Sequence, residues 1–241
     1  MNDPGRVPRF PSLRMSWCDL LFAHWRMDPE ALRALLPRTD PPWELDLWNG
    51  EAWIGIVPFR MTNVGLTGMP GLPGARAFPE LNVRTYVIGG GRPGVWFFSL
   101  DAASWLAVRG ARIGFHLPYF DARMHCELRG NGVRYQSHRT HRGGGTAVLE
   151  VDYRPIGDVF RSQPGSLEHW LTERYRLFAA DSRGCLYRGE IEHQPWPLQP
   201  AAAEFATCNM TGELGLALPA ESPHLLFARQ LDVRAARLVP A

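Results

Sequence analysis

The sequence predicts a mainly β fold, a single antiparallel closed barrel with a few short helices. Three observations carry this. The 241 residues include 24 Gly and 21 Pro, too many helix breakers for a bundle and well suited to a chain that turns often. The dipeptides Asn49-Gly50 and Asn131-Gly132 each separate two strand-like runs, and both residues of such a pair tolerate the positive φ of a tight hairpin turn. Residues 80–88 alternate with period two: Leu81, Val83, Thr85 and Val87 leave on one side, Glu80, Asn82, Arg84 and Tyr86 on the other.

The elements follow in order. After an arm carrying Pro4, Pro8 and Pro11, residues 17–25 are densely apolar. Asp28, Pro29 and Glu30 form a helix start, with Leu32, Leu35 and Leu36 on one stripe and Pro37 as the stop. Trp43, Leu45 and Leu47 alternate with acids before the Asn49-Gly50 turn, and Trp53 to Phe59 continues as the second strand of that hairpin. Residues 62–79 are rich in Gly and Pro and read as a loop retained to cover a pocket. Residues 95–100 are continuously apolar, a strand buried on both faces, after which Asp101 caps a helix over 102–111. Strands around Asn131-Gly132 and after Gly143-Gly144-Gly145 come next. Ser166 then starts a helix with Leu167, Trp170, Leu171 and Phe178 on one stripe, and strands over 185–193 and 225–233 close the count at about nine. Residues 1–11 are expected to be an arm, 12–235 one domain and 236–241 a tail.

Composition limits the function. Net charge is +2, all 26 basic residues are Arg, and they are scattered, so neither a nucleic-acid surface nor a polybasic membrane face is indicated. No apolar run approaches the ~18 residues that span a bilayer, and no secretory pattern opens the chain; a cytoplasmic protein is expected. The sequence leaves homo-oligomerisation open. Cys18, Cys126, Cys185 and Cys208 form no CxxC pair and read as reduced thiols filling core space. Pairing the second hairpin about Asn131-Gly132 sets His125 opposite His138, with His141 three residues on, and three imidazoles suit zinc. The same face carries Arg123, Glu127, Arg129 and Arg134, which reads as solvent, and no metal or other cofactor is expected. The Gly triplets lack the strand-to-helix setting of a phosphate loop.

Longer stretches carry a resemblance. Residues 53–59 (WIGIVPF), 80–87 (ELNVRTYV), 97–102 (FFSLDA) and Ala111-Arg112 leading to Leu117-Pro118-Tyr119, with His24-Trp25 and residues 193–198 (HQPWPL), resemble the uncharacterised YqjF-like family, domain of unknown function 2071, over roughly residues 12–235. That family is similar, more distantly, to acetoacetate decarboxylase, which implies a closed barrel of that type with a ligand pocket inside. The decarboxylase forms a Schiff base through a lysine with a lowered pKa, the standard example of an activated amine. Matching its proline to Pro118 and its arginine to Arg112 puts Tyr119 at the amine position, and Glu80 best matches one pocket acid. A phenol forms no imine and the chain has no Lys at all, so the resemblance supports the pocket and contradicts the reaction.

Glu80, Tyr119 and His116 are therefore the candidate acid–base groups, and Asn82, Arg84, Tyr86 and Arg112 the candidate ligand-binding groups. Arginine suits a carboxylate because its planar fork donates two parallel hydrogen bonds. A buried Arg84 is expected to pair with Glu80 or another acid when no ligand is bound. The opposing interpretation of this strand is a solvated outer face or a structural ion pair. The expected function is a pocket for a small carbonyl or carboxylate metabolite, as a lyase or hydrolase without a Schiff base; the alternative is a non-catalytic binding or sensory module on the same barrel.

Overall fold

The computed structural model describes residues 12–38, 43–68, 77–105, 108–109, 116–181 and 184–241. Thirteen strands form one sheet: β1 (Ser12–Met27), β2 (Glu44–Leu45), β3 (Ala52–Leu66), β4 (Ala77–Gly89), β5 (Arg92–Ala102), β6 (Tyr119–Arg129), β7 (Gly132–Arg139), β8 (Val148–Pro155), β9 (Arg176–Ala180), β10 (Leu186–His193), β11 (Leu198–Cys208), β12 (His224–Ala236) and β13 (Val239–Pro240). Among the described residues the helices α1 (Pro29–Arg33) and α2 (Leu167–Thr172) and a 3-10 turn at Gly212–Leu214 interrupt them, and residues 105 and 108–109 are also helical. The main β character is as the composition predicts. The sheet is mixed, however: β5 pairs in parallel with both β6 and β9, which corrects the expectation of a purely antiparallel one.

The pairings close on themselves twice. The sequence β12, β1, β3, β4, β5, β9, β10 returns to β12, and a second circuit leaves the same wall through β6, β7, β8 and β11. Among the strands common to both circuits, residues 52–59 of β3, 80–87 of β4 and 18–25 of β1 are buried on both faces, whereas β12 exposes Arg229, Gln230 and Asp232. Successive residues serve opposite cores: Leu20, Phe22, Val57 and Phe59 line the first, while Leu21, Ala23, Ile56, Leu81 and Val83 pack with Tyr135, Leu149 and Val151 in the second. β6 has water on one face instead, with Arg123, His125, Glu127 and Arg129 exposed along it.

Several local expectations need correcting. Asn49 (φ 51°) and Gly50 (φ 84°) make the positive-φ turn, closed by a Trp48–Glu51 bridge, but the strand before it is only Glu44–Leu45 and pairs with β4, not β3. The second hairpin turns at Gly130-Asn131, because Gly130 takes the left-handed φ of 59°; His125 therefore opposes Gln136, His138 opposes Arg123, and His141 bonds Asp121 at 2.9 Å. Asp101 lies within β5 and holds Arg139 rather than capping a helix, and part of the 102–111 segment falls outside the described residues. α2 stops at Thr172, so Phe178 belongs to β9. α1 begins as read, with the Asp28 carboxylate accepting from the Glu30 N–H at 3.0 Å. The four cysteines are free, and Cys185 is exposed rather than in a core. Val239–Pro240, within the expected tail, pair with Tyr187 and Arg188 of β10.

Candidate functional site in the first circuit

A cavity of about 530 Å³ occupies the first circuit, within the ~300–1,000 Å³ typical of small-molecule sites. Its wall is largely Leu, Met, Val, Phe and Trp, and its polar groups are few and specific: Glu80, Asn82, Arg84, Tyr119, Thr172, Arg174 and His193. The inward positions of β4 supply three of these in a row, so the polar face read from the alternation is an interior one. A second cleft of about 500 Å³ lies between β1, β10 and β12, where Arg234 is committed to Glu192 and Asp232 to Ser16.

Glu80 is 2% exposed, and the Tyr119 hydroxyl lies 3.1 and 3.2 Å from its two carboxylate oxygens. Burial pushes the Glu80 carboxyl up to about 8, with the Tyr119 bond pulling partly the other way. Burial and the adjacent acid raise the Tyr119 phenol well above its ordinary value. At neutral pH the pair is thus a carboxylic acid and a phenol, two neutral groups sharing protons at the cavity wall. Tyr119 reaches this position because β6 starts beside Leu100 of β5, with the Leu100 N–H donating to the Pro118 carbonyl at 3.0 Å.

Arg84 does not pair with Glu80, which corrects the sequence expectation. Its Nη2 donates to the Leu171 carbonyl at 3.4 Å and the Tyr86 hydroxyl at 3.5 Å, while its Nε has no partner among the described residues. Four residues at ~3.3 Å each separate the two backbones by ~13 Å, and the guanidinium reaches toward α2, away from Glu80. It lies 5.3 Å from the Phe22 ring centre. Among the described residues no carboxylate comes within ion-pair distance of it. The Asn82 Oδ1 is likewise buried and unpartnered.

Tyr86 shares the face of Arg84 but lies beyond the cavity under α2, its hydroxyl donating to the Leu171 carbonyl at 2.9 Å and lying 2.6 Å from the His24 Nε2. Its assignment as a ligand contact is therefore corrected to a support for Arg84. His24 is fully buried, and desolvation, then Arg84, holds it well below the ordinary imidazole range. His116 is not in the wall either; it takes φ 47° and stacks on Tyr187 at 4.6 Å. Arg112 lies outside the described residues.

Three polar wall residues, Thr172, Arg174 and His193, were missed as site candidates. Arg174 is 5% exposed, bonded through Nη1 to Asp46 at 2.6 Å and stacked between Tyr86 and Trp170, with Nη2 unpartnered. The His193 Nδ1–H donates to the Gln194 carbonyl at 2.8 Å, and burial lowers its pKa. Arg174 sits where α2 hands over to β9, a junction with no periodic signal. His193 was visible only as the first residue of the HQPWPL stretch.

Several solved structures share this fold. An acetoacetate decarboxylase from Legionella pneumophila subsp. pneumophila matches with a TM-score of 0.65 over 98% of this chain and 88% of its own at 15% identity. The enduracididine biosynthesis enzyme MppR, solved with pyruvate, gives 0.63 over 95% and 90% at 16% identity. An acetoacetate decarboxylase-like enzyme from Sphingomonas wittichii RW1 gives 0.61 over 96% and 93% at 15% identity. These likenesses establish the shared fold. In sequence, the uncharacterized protein YqjF of Bacillus subtilis (strain 168) is 48% identical over 221 residues, 92% of this chain and 89% of its own. The model of DUF2071, described as an uncharacterized conserved protein, matches residues 14–232, and the chain belongs to that family.

Proposed function

We propose that the chain binds a small carbonyl or carboxylate compound in the first-circuit cavity, with Arg84 as the anion anchor and Glu80 with Tyr119 as the proton-handling pair. The observation that carries this is the buried Arg84 guanidinium, which has no acid partner among the described residues. A desolvated cation is costly, and a ligand carboxylate would complete it with charge-assisted hydrogen bonds. Glu80 supports the chemical half: an acid whose pKa is near neutrality can give or take a proton, and Tyr119 can hold it or a carbonyl oxygen in place. A proton transfer at or beside a carbonyl, within a lyase or hydrolase reaction, fits these groups. MppR, with pyruvate bound, supports a small oxo acid as a ligand for this fold.

One feature of the wall favours the second interpretation, binding without turnover. Thr172 supplies a hydroxyl, but it donates to the Glu168 carbonyl at 2.7 Å, and the chain has no Lys for an imine. Borohydride with acetoacetate is accordingly expected to label no internal residue, and an internal adduct in a peptide mass map would contradict this.

The direct test is a thermal-shift screen of oxo acids and carboxylates on the wild type, Arg84→Lys and Tyr119→Phe. Arg84→Lys keeps the charge but loses the fork, and is expected to weaken an acid by roughly 1.5–3 kcal/mol. Tyr119→Phe is expected to weaken a carbonyl ligand by about tenfold. An acid that stabilises all three proteins equally would show that these residues do not line its site. Turnover of the bound compound, lost in Glu80→Gln with binding retained, would separate the enzyme from the sensor.

A further inference from the structure

The cavity is polar at one end and apolar at the other, and this polarity follows the strand order. The inward positions of β4 run Arg84, Asn82, Glu80, Phe78, about 7 Å apart, and across the ladder from them on β3 stand Gly55, Val57, Phe59 and Met61. On β1, His24 faces the Gly55 level and Trp17 the Met61 level. The Arg84 end is closed by α2, whose Leu171 carbonyl accepts from both Arg84 and Tyr86. Gly55 makes room there: a Cβ would stand 2.9 Å from the His24 Nε2 and 3.4 Å from the Arg84 Cγ. The opposite end is walled by Leu13, Met15, Met61, Val64 and Phe78.

We propose that the ligand of this cavity is an amphipathic monocarboxylic acid, its head held by Asn82 and Arg84 at the α2 end and its apolar body extending past Glu80 toward Met61 and Phe78. This rests on the acid-binding function proposed above and names the substrate class for it. The polar argument is the set of buried, unpartnered guanidinium and amide atoms at one end, the Arg84 Nε, the Asn82 Oδ1 and the Arg174 Nη2; elsewhere in the described wall the buried atoms without a partner are the indole N–H groups of Trp17 and Trp196, which carry no charge. Such groups are rarely left unsatisfied. A carboxylate only accepts hydrogen bonds, so Asn82 would serve it with its amide turned to present the Nδ2–H beside the guanidinium.

The apolar argument is size and lining. At ~30 Å³ for a water-sized share of volume, the cavity has room for roughly eighteen non-hydrogen atoms. A four-carbon oxo acid has about seven, so it would leave the Leu13, Met15 and Phe78 end unfilled. A straight-chain acid of about eight to twelve carbons has about ten to fourteen non-hydrogen atoms and reaches both ends of the cavity without exceeding that room. Glu80, hydrogen-bonded to Tyr119 midway along the wall, is neutral at pH 7 and can lie beside an apolar chain without a desolvated charge.

Calorimetric titration of the purified chain with straight-chain carboxylates from two to fourteen carbons, the matching primary alcohols and acetoacetate, all below micellar concentrations, tests this. Affinity is expected to rise about fourfold per methylene, the value of burying one CH₂, and to stop rising at about eight to twelve carbons. An alcohol of the same length is expected to bind at least tenfold more weakly. Arg84→Gln should bring the acid down to the alcohol, and Val64→Phe, at the other end, should shorten the optimal chain. A flat dependence on length, with acetoacetate binding through Arg84, would overturn the amphipathic class while leaving the acid-binding function in place. Alcohols binding as well as acids, with Arg84→Gln without effect, or no acid binding at all, would overturn both.

Discussion

Between about pH 4.5 and about pH 8 the native protein is expected to lose roughly 5 kcal/mol of stability through Glu80, and Glu80→Gln is expected to remove that slope. The Glu80 carboxyl is raised to about 8 in the fold from an ordinary 4.5, so in this window the folded chain holds a proton that the unfolded chain has released. Rising pH therefore favours the unfolded state until the folded group also ionises, and the loss is complete above about 8. Gln keeps the shape and an acceptor for the Tyr119 hydroxyl without the charge. His24 acts on the acid side with the opposite sense. Its folded pKa lies well below 6.5, so the stability it contributes is present above 6.5 and lost as pH falls. Above about 6.5 the His24 contribution is complete, and urea unfolding of wild type against Glu80→Gln in that range isolates the Glu80 slope as their difference. Equal slopes for both proteins would show that Glu80 is ionised in the fold.

Arg139→Met is expected to destabilise the protein by about 3–5 kcal/mol. Arg139 donates to Asp101 through Nε at 3.0 Å and Nη2 at 2.7 Å, to the Gly144 carbonyl through Nη1 at 3.0 Å, and lies 4.1 Å from the Phe120 ring centre. The Asp101 side chain is fully buried and that of Arg139 is 4% exposed. Removing the cation leaves a carboxylate that burial already raises above its usual range, with its compensating partner gone. Adding Asp101→Asn to Arg139→Met should restore part of the loss, because the stranded charge is then absent. A single-variant loss below about 1 kcal/mol in denaturant unfolding would contradict this account. The pair ties β5 to β7, so the same measurement reports how strongly the second circuit is held to the shared wall.

Much of the candidate site was legible in residues 80–84, because a strand has a period of two and one glance at the alternation separates Glu80, Asn82 and Arg84 from Leu81 and Val83. Tyr119 was legible through Pro118 and the family stretch around it. The alternation could not say whether the polar face met water or an interior. Nor could it reveal that Tyr86, on the same face, passes out of the cavity beneath α2, or that the Arg84 side chain reaches toward Leu171 and leaves Glu80 to Tyr119. Arg174 and His193 were invisible as site residues because each lies at an element boundary.

The sequence by itself determined the β character, the α1 cap at Asp28, the positive-φ turn at Asn49-Gly50 and the face of β4 that carries Glu80, Asn82 and Arg84, since each depends on the conformations and spacing of neighbouring residues. It also determined that no imine can form on a lysine. Only the tertiary structure decided that β5 pairs in parallel with β6 and β9, that the shared strands wall two cores, and that a cation and a neutral acid line one cavity without pairing. Those outcomes depend on which distant strands meet and on what desolvation does to charges once they have met, and neither is written in local sequence.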